Sequence, residues 1–199
     1  MERIGERTGG AGRLAYAARV SEMRMFARHL LSVAVLPFSV AVLVPLWLVR
    51  SNNISPAIAT TAPQIVGQVV GLLLLLVGLT LFSASLRKFV TEGEGTLAPW
   101  DPPLRLVVRG PYRYVRNPMI SGVVFVLFGE ALVLLSRPHL VWALIFLGAN
   151  FVWIPLVEEA GLRHRFGDPY VEYCRHVPRL IPRLRPWEPD DSSGMESAS

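Results

Sequence analysis

Apolar residues occur in four blocks along the chain, and polar, basic or proline-rich stretches separate them. The blocks cover residues 29–49, 64–86, 118–135 and 140–157. The first block has no formal charge over a helical length of roughly 30 Å, which is enough to cross the hydrocarbon core of a bilayer. The apolar residues do not follow the periods of half-buried strands or of surface helices of soluble proteins. Each block therefore predicts a membrane-spanning helix.

Residues within and between the blocks predict local geometry. The short sequence "SRPH", residues 136–139, joins the last two blocks and predicts a tight turn of a helical hairpin. Pro37 and Pro45 predict a bend in the first helix. The small side chains of Gly67, Gly71 and Gly78 would allow a neighbouring helix to approach the second one closely.

The distribution of Lys and Arg predicts the orientation of the helices. Both residue types are frequent in residues 1–28, 87–116 and 163–185, whereas the two alternate connectors hold only Arg50 and Arg137. Because basic residues accumulate on the cytoplasmic side, we expect both termini there. The predicted fold class is all-α: a polytopic membrane protein with about four transmembrane helices and short cytoplasmic C-terminal helices.

This pattern divides the chain into three parts. Residues 1–28 form a basic cytoplasmic N-terminal segment, and residues 29–186 form one membrane domain. Residues 187–199 are acidic, small and polar, so we expect a disordered tail.

Composition supports a membrane protein and limits its partners. Of the 199 residues, 52% are hydrophobic and 18% are charged, an apolar share above that of ordinary soluble domains. One cysteine, Cys174, cannot form an internal disulfide and does not have the spacing of a zinc site. The net charge of +5 indicates contact with anionic lipid headgroups rather than with nucleic acid. We therefore expect the lipid bilayer as a partner, and neither a metal nor nucleic acid.

The sequence "RGPYRYVRNPMISG", residues 109–122, places basic and aromatic residues directly before the third block. Pro118 suits the first turn of a helix, and Asn117 before it can cap that helix. The free N–H groups of the first turn favour an anion such as a carboxylate. Arg113 and Arg116 would strengthen this preference, or would contact lipid phosphates.

Acidic residues follow the fourth block, where their charge is unfavourable. Glu158 and Glu159 lie at the C-terminal end of a predicted helix and repel each other, so they need cations. Arg163, four residues after Glu159, is one source, and a bound ligand is the alternative. Glu130 and Asn150 lie inside apolar blocks, where polar groups usually face the protein interior or a cavity.

The sequence "FGDPYVEYCRHVPRLIP", residues 166–182, predicts the end of one helix and the start of another. Gly167 would end the first helix, Asp168 would cap the second, and Pro169 would occupy its first position. Tyr170, Tyr173 and Cys174 then share one face of this short helix. That face either packs against the membrane domain or lines an aromatic pocket.

Together these features resemble the integral-membrane methyltransferases typified by isoprenylcysteine carboxyl methyltransferase, with the phospholipid N-methyltransferases as relatives. The resemblance covers roughly residues 91–185, about half of the chain, and its C-terminal part is the most specific. The family pattern Arg-His-Pro-x-Tyr-x-Gly is matched by Arg116, Pro118 and Gly122. Asn117 replaces the His and Ile120 replaces the Tyr, so hydrogen bonding at position 117 is retained but proton transfer is not.

The resemblance implies an S-adenosylmethionine-dependent methyltransferase that binds its cofactor at the cytoplasmic face, between the hairpin entrance and the C-terminal helices. It implies a lipid-like or small apolar methyl acceptor and identifies no catalytic residue. The candidate cofactor-binding residues are Arg113, Tyr114, Arg116, Asn117, Pro118, Gly122, Asn150, Glu158, Glu159, Tyr170 and Tyr173.

Two alternatives follow from the same residues. The end of the tail, "YCRHVPRLIP", also resembles the C-terminal end of sterol reductases, which use NADPH on membrane lipids. A non-catalytic membrane scaffold or a small transporter would explain the apolar blocks and flanking arginines. It would not explain why the acidic pair, the polar hairpin entrance and the aromatic tail are all expected on one side of the membrane.

Overall fold

A computed structural model describes residues 36–55, 58–92, 106 and 108–188. In this part of the chain all regular structure is helical and no strand occurs. The five helices are α1 (Leu36–Ser51), α2 (Ala62–Glu92), α3 (Pro118–Val133), α4 (Arg137–Phe166) and α5 (Asp168–His176). The prediction of an all-α fold is therefore confirmed here, while the basic segment at residues 1–28 lies outside the described residues.

Each apolar block forms a helix where the structure describes it, but the boundaries differ from those predicted. The turn between α3 and α4 consists of residues 134–136 and is shorter than the predicted "SRPH" turn. The prediction is wrong for Arg137, Pro138 and His139, which belong to α4. Ser136 is the N-cap of α4 and its hydroxyl accepts a hydrogen bond from the His139 N–H at 3.4 Å, so Arg137, Pro138 and His139 form the first turn. A serine cap followed by a proline near the first position is a favoured helix start.

Helices α2 and α3 pack against each other through facing glycines. A Cβ atom at Gly71 would lie 2.9 Å from the Gly129 carbonyl oxygen, and one at Gly78 would lie 2.7 Å from that of Gly122. The glycines in each helix are seven residues apart, a spacing that keeps them on one face of closely packed helices. The predicted close approach is thus confirmed for Gly71 and Gly78, whereas a Cβ atom at Gly67 would meet nothing within 4 Å.

Helices α1 and α4 each contain a π-helical turn near prolines. In α1 the turn is Ser39–Leu43 and lies between Pro37 and Pro45, where the sequence predicts a bend. The indole N–H of Trp142 in α4 donates to the Val40 carbonyl inside this turn at 3.0 Å. The contact joins α1 to the core that α3 and α4 share around Val123, Leu127 and Ala143.

The outer surface of the helices is apolar. The stretch Ala62–Lys88 and the helix Arg137–Phe166 are long and apolar enough to cross a membrane, and α1 and α3 are shorter apolar helices. Only 11% of the most apolar window in each of the two long helices is buried. They are therefore not core helices of a soluble fold, because those would be mostly buried.

Candidate functional site

The entrance to α3 and the C-terminal segment lie side by side. Four backbone hydrogen bonds join residues 113–117 to residues 178–187. They run from Arg116 N to Pro178 O (2.9 Å), Asn117 N to Arg179 O (3.2 Å), Arg183 N to Tyr114 O (3.0 Å) and Trp187 N to Arg113 O (2.9 Å). Two motifs that are about sixty residues apart in sequence therefore form one surface at the start of α3.

The carboxylate of Glu159 is the centre of this end of the molecule. Its side chain is only 2% exposed, and the Arg179 guanidinium donates to both of its oxygens at 2.6 and 2.9 Å. Arg116 approaches the same carboxylate at 2.9 Å, and Arg163 approaches it at 3.7 Å. A bidentate arginine pair is among the strongest charge-assisted contacts, and the hydrogen bond to Glu159 raises the pKa of Arg179. The buried charge of Glu159 is thus compensated from within the protein.

The sequence suggested Arg163 as the partner of Glu159, but the closest partners come from elsewhere in the chain. The Arg163 side chain is 58% exposed, which weakens its attraction to Glu159 through solvent screening. Arg179 was not among the candidate residues. Its signal in the sequence was its place in "VPRLIP", a part of the most specific segment of the family resemblance.

A π-helical turn in α4 decides which of the two glutamates faces inward. The turn is Ile154–Glu158 and contains Pro155, which has no N–H for a regular helical bond. Ile154 is 0% exposed, and the next buried residue is Glu159, five positions later. In an uninterrupted α-helix the residue four positions later, Glu158, would lie on the face of Ile154. The π turn therefore places Glu159 in the arginine cluster and leaves Glu158 beside it.

Glu158 has a different environment. Its side chain is half-buried, and no hydrogen bond or ion pair to it occurs among the residues that the structure describes. Tyr112 lies close to Glu158. The pKa of the Tyr112 phenol is raised to about 12, mainly by burial and in part by the negative charge of Glu158. Glu158 thus lies next to Glu159 and has no partner in the described part of the chain.

The start of α3 is open. Asn117 precedes the helix but makes no side-chain cap hydrogen bond, so the predicted cap is wrong. Its amide nitrogen instead faces the Arg179 carbonyl at 3.5 Å, and its own carbonyl accepts from Ser121. The N–H groups of Met119 and Ile120 have no acceptor within the helix because they belong to its first turn. They are therefore two backbone donors that α3 itself does not use.

Arg116 adds a further donor. Its Nη1 contacts both Glu159 and the sulfur of Cys174, the latter at 2.7 Å. Its Nε is buried and has no acceptor among the described residues. A buried donor without a partner is costly, so this atom is a point where a ligand acceptor would be favourable.

The aromatic residues of α5 form a packed wall. Tyr170 and Tyr173 are buried with Val177 against residues that include Trp187, and burial is the main cause that raises the pKa of both phenols. The Tyr173 hydroxyl donates to the Tyr112 carbonyl at 2.7 Å. Helix α5 begins at Asp168 with Gly167 at the N-cap, so the prediction that Asp168 caps it is wrong. The structure thus supports packing as a role for this aromatic face.

The remaining candidates have mainly structural contacts. Gly122 contacts Gly78 in the helix pair, and the Asn150 amide donates to the Phe146 carbonyl of its own helix at 2.9 Å. Tyr114 is half-buried and Pro118 is buried at the first position of α3. The contacts of Gly122 and Asn150 are thus with the helices themselves and not with Glu159 or its arginines.

Arg113 joins the entrance to α3 to the C-terminal end of the described residues. Arg113 donates from Nε to the Trp187 carbonyl at 2.9 Å and pairs with Glu188. Trp187 and Glu188, the first two residues of the predicted disordered tail, thus make contacts, and residues 189–199 lie outside the described residues. Glu130 lies in α3, and its Oε2 is buried without a partner among the described residues.

The arrangement defines a class of protein: an apolar helical body with a cluster of charged residues at one end. The sequence model of the phospholipid methyltransferase family matches residues 66–169, which is more than half of the chain. The chain belongs to this family, and membership implies a methyltransferase that acts on lipids. The match includes Arg116, Glu158 and Glu159 and ends before Arg179. No curated protein and no solved structure matches the chain.

Proposed function

We propose that the protein transfers a methyl group from S-adenosylmethionine to a lipid-like or small apolar acceptor at the cytoplasmic face of a membrane. The observation that carries the proposal is the position of Glu158. It is a carboxylate without a protein partner in the described region, close to Tyr112 and next to Glu159, which binds Arg116. A negative group and several N–H donors are therefore close to the charged end of an apolar helical body.

The proposed membrane location rests on the surface of the helices. Large apolar side chains are exposed along α1, α2 and α4, among them Leu72, Leu76, Phe151 and Leu156. Such a continuous apolar surface is unfavourable in water and suits lipid. We propose that the four apolar helices all cross the bilayer and that both termini are cytoplasmic, as the distribution of basic residues predicts.

The described residues fit an amino acid group such as that of S-adenosylmethionine. The N–H groups of Met119 and Ile120 and the Nε of Arg116 suit its carboxylate, since the first two belong to the first turn of α3 and the third has no acceptor among the described residues. Glu158 suits its ammonium group or a ribose hydroxyl. Glu159 would act through Arg116 and Arg179, because its own charge is already compensated.

The aromatic wall would form the side of the cofactor pocket. Tyr170 and Tyr173 present large buried rings next to Cys174 and Arg116, and an aromatic base packs well against such rings. Arg113, Tyr114 and Asn117 belong to the backbone ladder with the C-terminal segment, which keeps the entrance to α3 in place.

When bound, the cofactor supplies a methyl group on a positively charged sulfur. The residues of the chain contribute binding, alignment and exclusion of water rather than acid or base catalysis. A carboxylate or thiolate acceptor has no proton to lose, and an amine acceptor would have to arrive neutral. The apolar helices would let the acceptor reach the site from within the bilayer, which favours a lipid-like or apolar molecule.

The proposal is tested by incubating the purified protein with methyl-labelled S-adenosylmethionine and host lipid extract, and then identifying the labelled product. We expect label in a lipid or small apolar molecule. Binding of NADPH without binding of S-adenosylmethionine would instead favour the reductase. Absence of binding to either cofactor would favour a scaffold.

The two adjacent glutamates form a matched pair for the cofactor site. We expect Glu158→Gln to weaken S-adenosylmethionine binding by roughly tenfold or more, since a charged hydrogen-bond partner is lost, while thermal stability is retained. Glu159→Gln should instead lower thermal stability, because Glu159 is the counter-charge of Arg116 and Arg179. Equal cofactor affinity of Glu158→Gln and the unaltered protein would contradict the assigned role of Glu158.

A further inference from the structure

The C-terminal segment combines positive charge with exposed aliphatic side chains. Residues 175–187, "RHVPRLIPRLRPW", contain four arginines and no acidic residue. Between the arginines, Ile181 is 75% exposed and Leu184 is 98% exposed. Neither aliphatic side chain has a role in the proposed cofactor site, and both lie outside the packed aromatic wall.

This segment lies at the boundary between the apolar and the charged parts of the molecule. Its backbone is bonded to residues 113–117, which directly precede the first residue of α3. In α4 the same boundary falls between Val157, which is exposed, and Glu158. In α2 it falls between Leu86 and Arg87. Ile181 and Leu184 are therefore at the level where the apolar surface of the helices ends.

The exposure of these two side chains is maintained by contacts on both sides of them. Pro178 accepts from Arg116 N before them, and Trp187 donates to Arg113 O after them. The Trp187 ring also stacks on His176, with ring centroids 5.1 Å apart and an interplanar angle of 4°. The segment is therefore held in a conformation that leaves both aliphatic side chains unburied.

We propose that residues 178–187 dock on the anionic lipid surface next to the site, with Ile181 and Leu184 among the outer acyl chains and with Arg183 and Arg185 at the phosphates, while Arg179 stays bound to Glu159. Aliphatic side chains flanked by arginines are typical of elements that lie in the membrane interface. A second copy of this chain is a poorer partner for the same surface, because two identical arginine-rich segments repel each other. Docking rests on the proposed membrane location but not on methyl transfer.

The test uses a fluorescent label at the most exposed position. The single cysteine is removed by Cys174→Ala, Leu184→Cys is introduced, and an environment-sensitive fluorophore is attached before reconstitution into lipid nanodiscs. Nanodiscs of phosphatidylcholine alone are compared with nanodiscs that also contain phosphatidylglycerol. We expect a blue shift and quenching by brominated acyl chains in the anionic nanodiscs, both lost at high salt.

Charge variants identify the cause of the shift. Arg185 is exposed in this segment, and Arg137 is exposed at the start of α4, the end of that helix far from the segment. Arg185→Gln and Arg137→Gln each remove one positive charge, so they form a matched pair. The ratio of docked to undocked label should fall about fivefold for Arg185→Gln, from the typical effect of one basic residue near an anionic surface. It should be unchanged for Arg137→Gln.

Three results would overturn docking on lipid. The label could have the same emission in neutral and anionic nanodiscs, the two charge variants could behave alike, or the shift could depend on protein concentration, which would indicate a second copy. Labelling at Ile181→Cys in a Cys174→Ser background provides a second variant if the first does not fold. Failure of the membrane location would be recognised separately, because the protein would then not copurify with nanodiscs.

Discussion

Replacement of Gly78 by alanine tests the packing on which the position of α3 depends. A Cβ at this residue would lie 2.7 Å from the Gly122 carbonyl oxygen and 2.9 Å from the Val126 nitrogen. Both neighbours are backbone atoms, so they cannot rotate away as a side chain would. Because ordinary carbon contacts lie at about 3.5–4.0 Å, the helices would have to separate by several tenths of an ångström or more.

We expect Gly78→Ala to destabilise the protein by about 1–3 kcal/mol, the usual cost of an extra methyl group in a close-packed interior. The matched control is Gly67→Ala in the same helix, where the new Cβ meets nothing within 4 Å. That change should be neutral, or stabilising by up to about 1 kcal/mol through helix propensity. The difference corresponds to a melting temperature on the order of 5 °C lower for Gly78→Ala than for the control.

The measurement is thermal unfolding of the two variants and the unaltered protein in the same detergent. Gly78→Ala should melt below the unaltered protein, and Gly67→Ala should melt at the same temperature or above it. If Gly78→Ala were as stable as Gly67→Ala, the close contact between α2 and α3 would not exist, and the start of α3 would have to be positioned by other contacts.

Three further predictions concern the charged end of the molecule. Glu159→Gln should lower the free energy of unfolding by about 3 kcal/mol, since it leaves Arg116 and Arg179 without their counter-charge. Glu158→Gln should have little effect on the melting temperature. Equal melting temperatures of the two variants would refute the buried ion cluster. Arg179→Lys cannot reproduce the bidentate contact and should lower the melting temperature more than Arg175→Lys, an exposed control; a larger effect of the control would contradict the contact. Burial raises the folded-state pKa of Tyr112 from 10.0 to about 12, so its contribution to stability should be complete below pH 10 and lost as the pH rises to 12. Tyr112→Phe should reduce this loss of stability at alkaline pH. The same alkaline unfolding profile in the variant and the unaltered protein would argue against burial of Tyr112.

The two glutamates show how far local sequence reasoning reaches. Their position after an apolar block predicts that they need cations. The structure contains those cations for Glu159, whereas Glu158 has no cation partner in the described part of the chain. Sequence spacing pointed to Arg163, but spacing within one helix reports only neighbours along that helix. Arg116 and Arg179 reach Glu159 because the hairpin entrance and the C-terminal segment are joined by backbone hydrogen bonds. That pairing brings together residues far apart in sequence and has no local signal.

The apolar blocks by themselves determined the all-helical fold, the hairpin of α3 and α4, and the close approach at Gly71 and Gly78. These features follow from side-chain size and hydropathy, which act on near neighbours in the chain. Tertiary structure alone decided that Glu159 faces inward and that Glu158 lies beside it without a partner in the described part of the chain. The π turn at Ile154–Glu158 shifts the inward face by one residue, and such a shift depends on the packing around the helix rather than on the pattern of apolar residues.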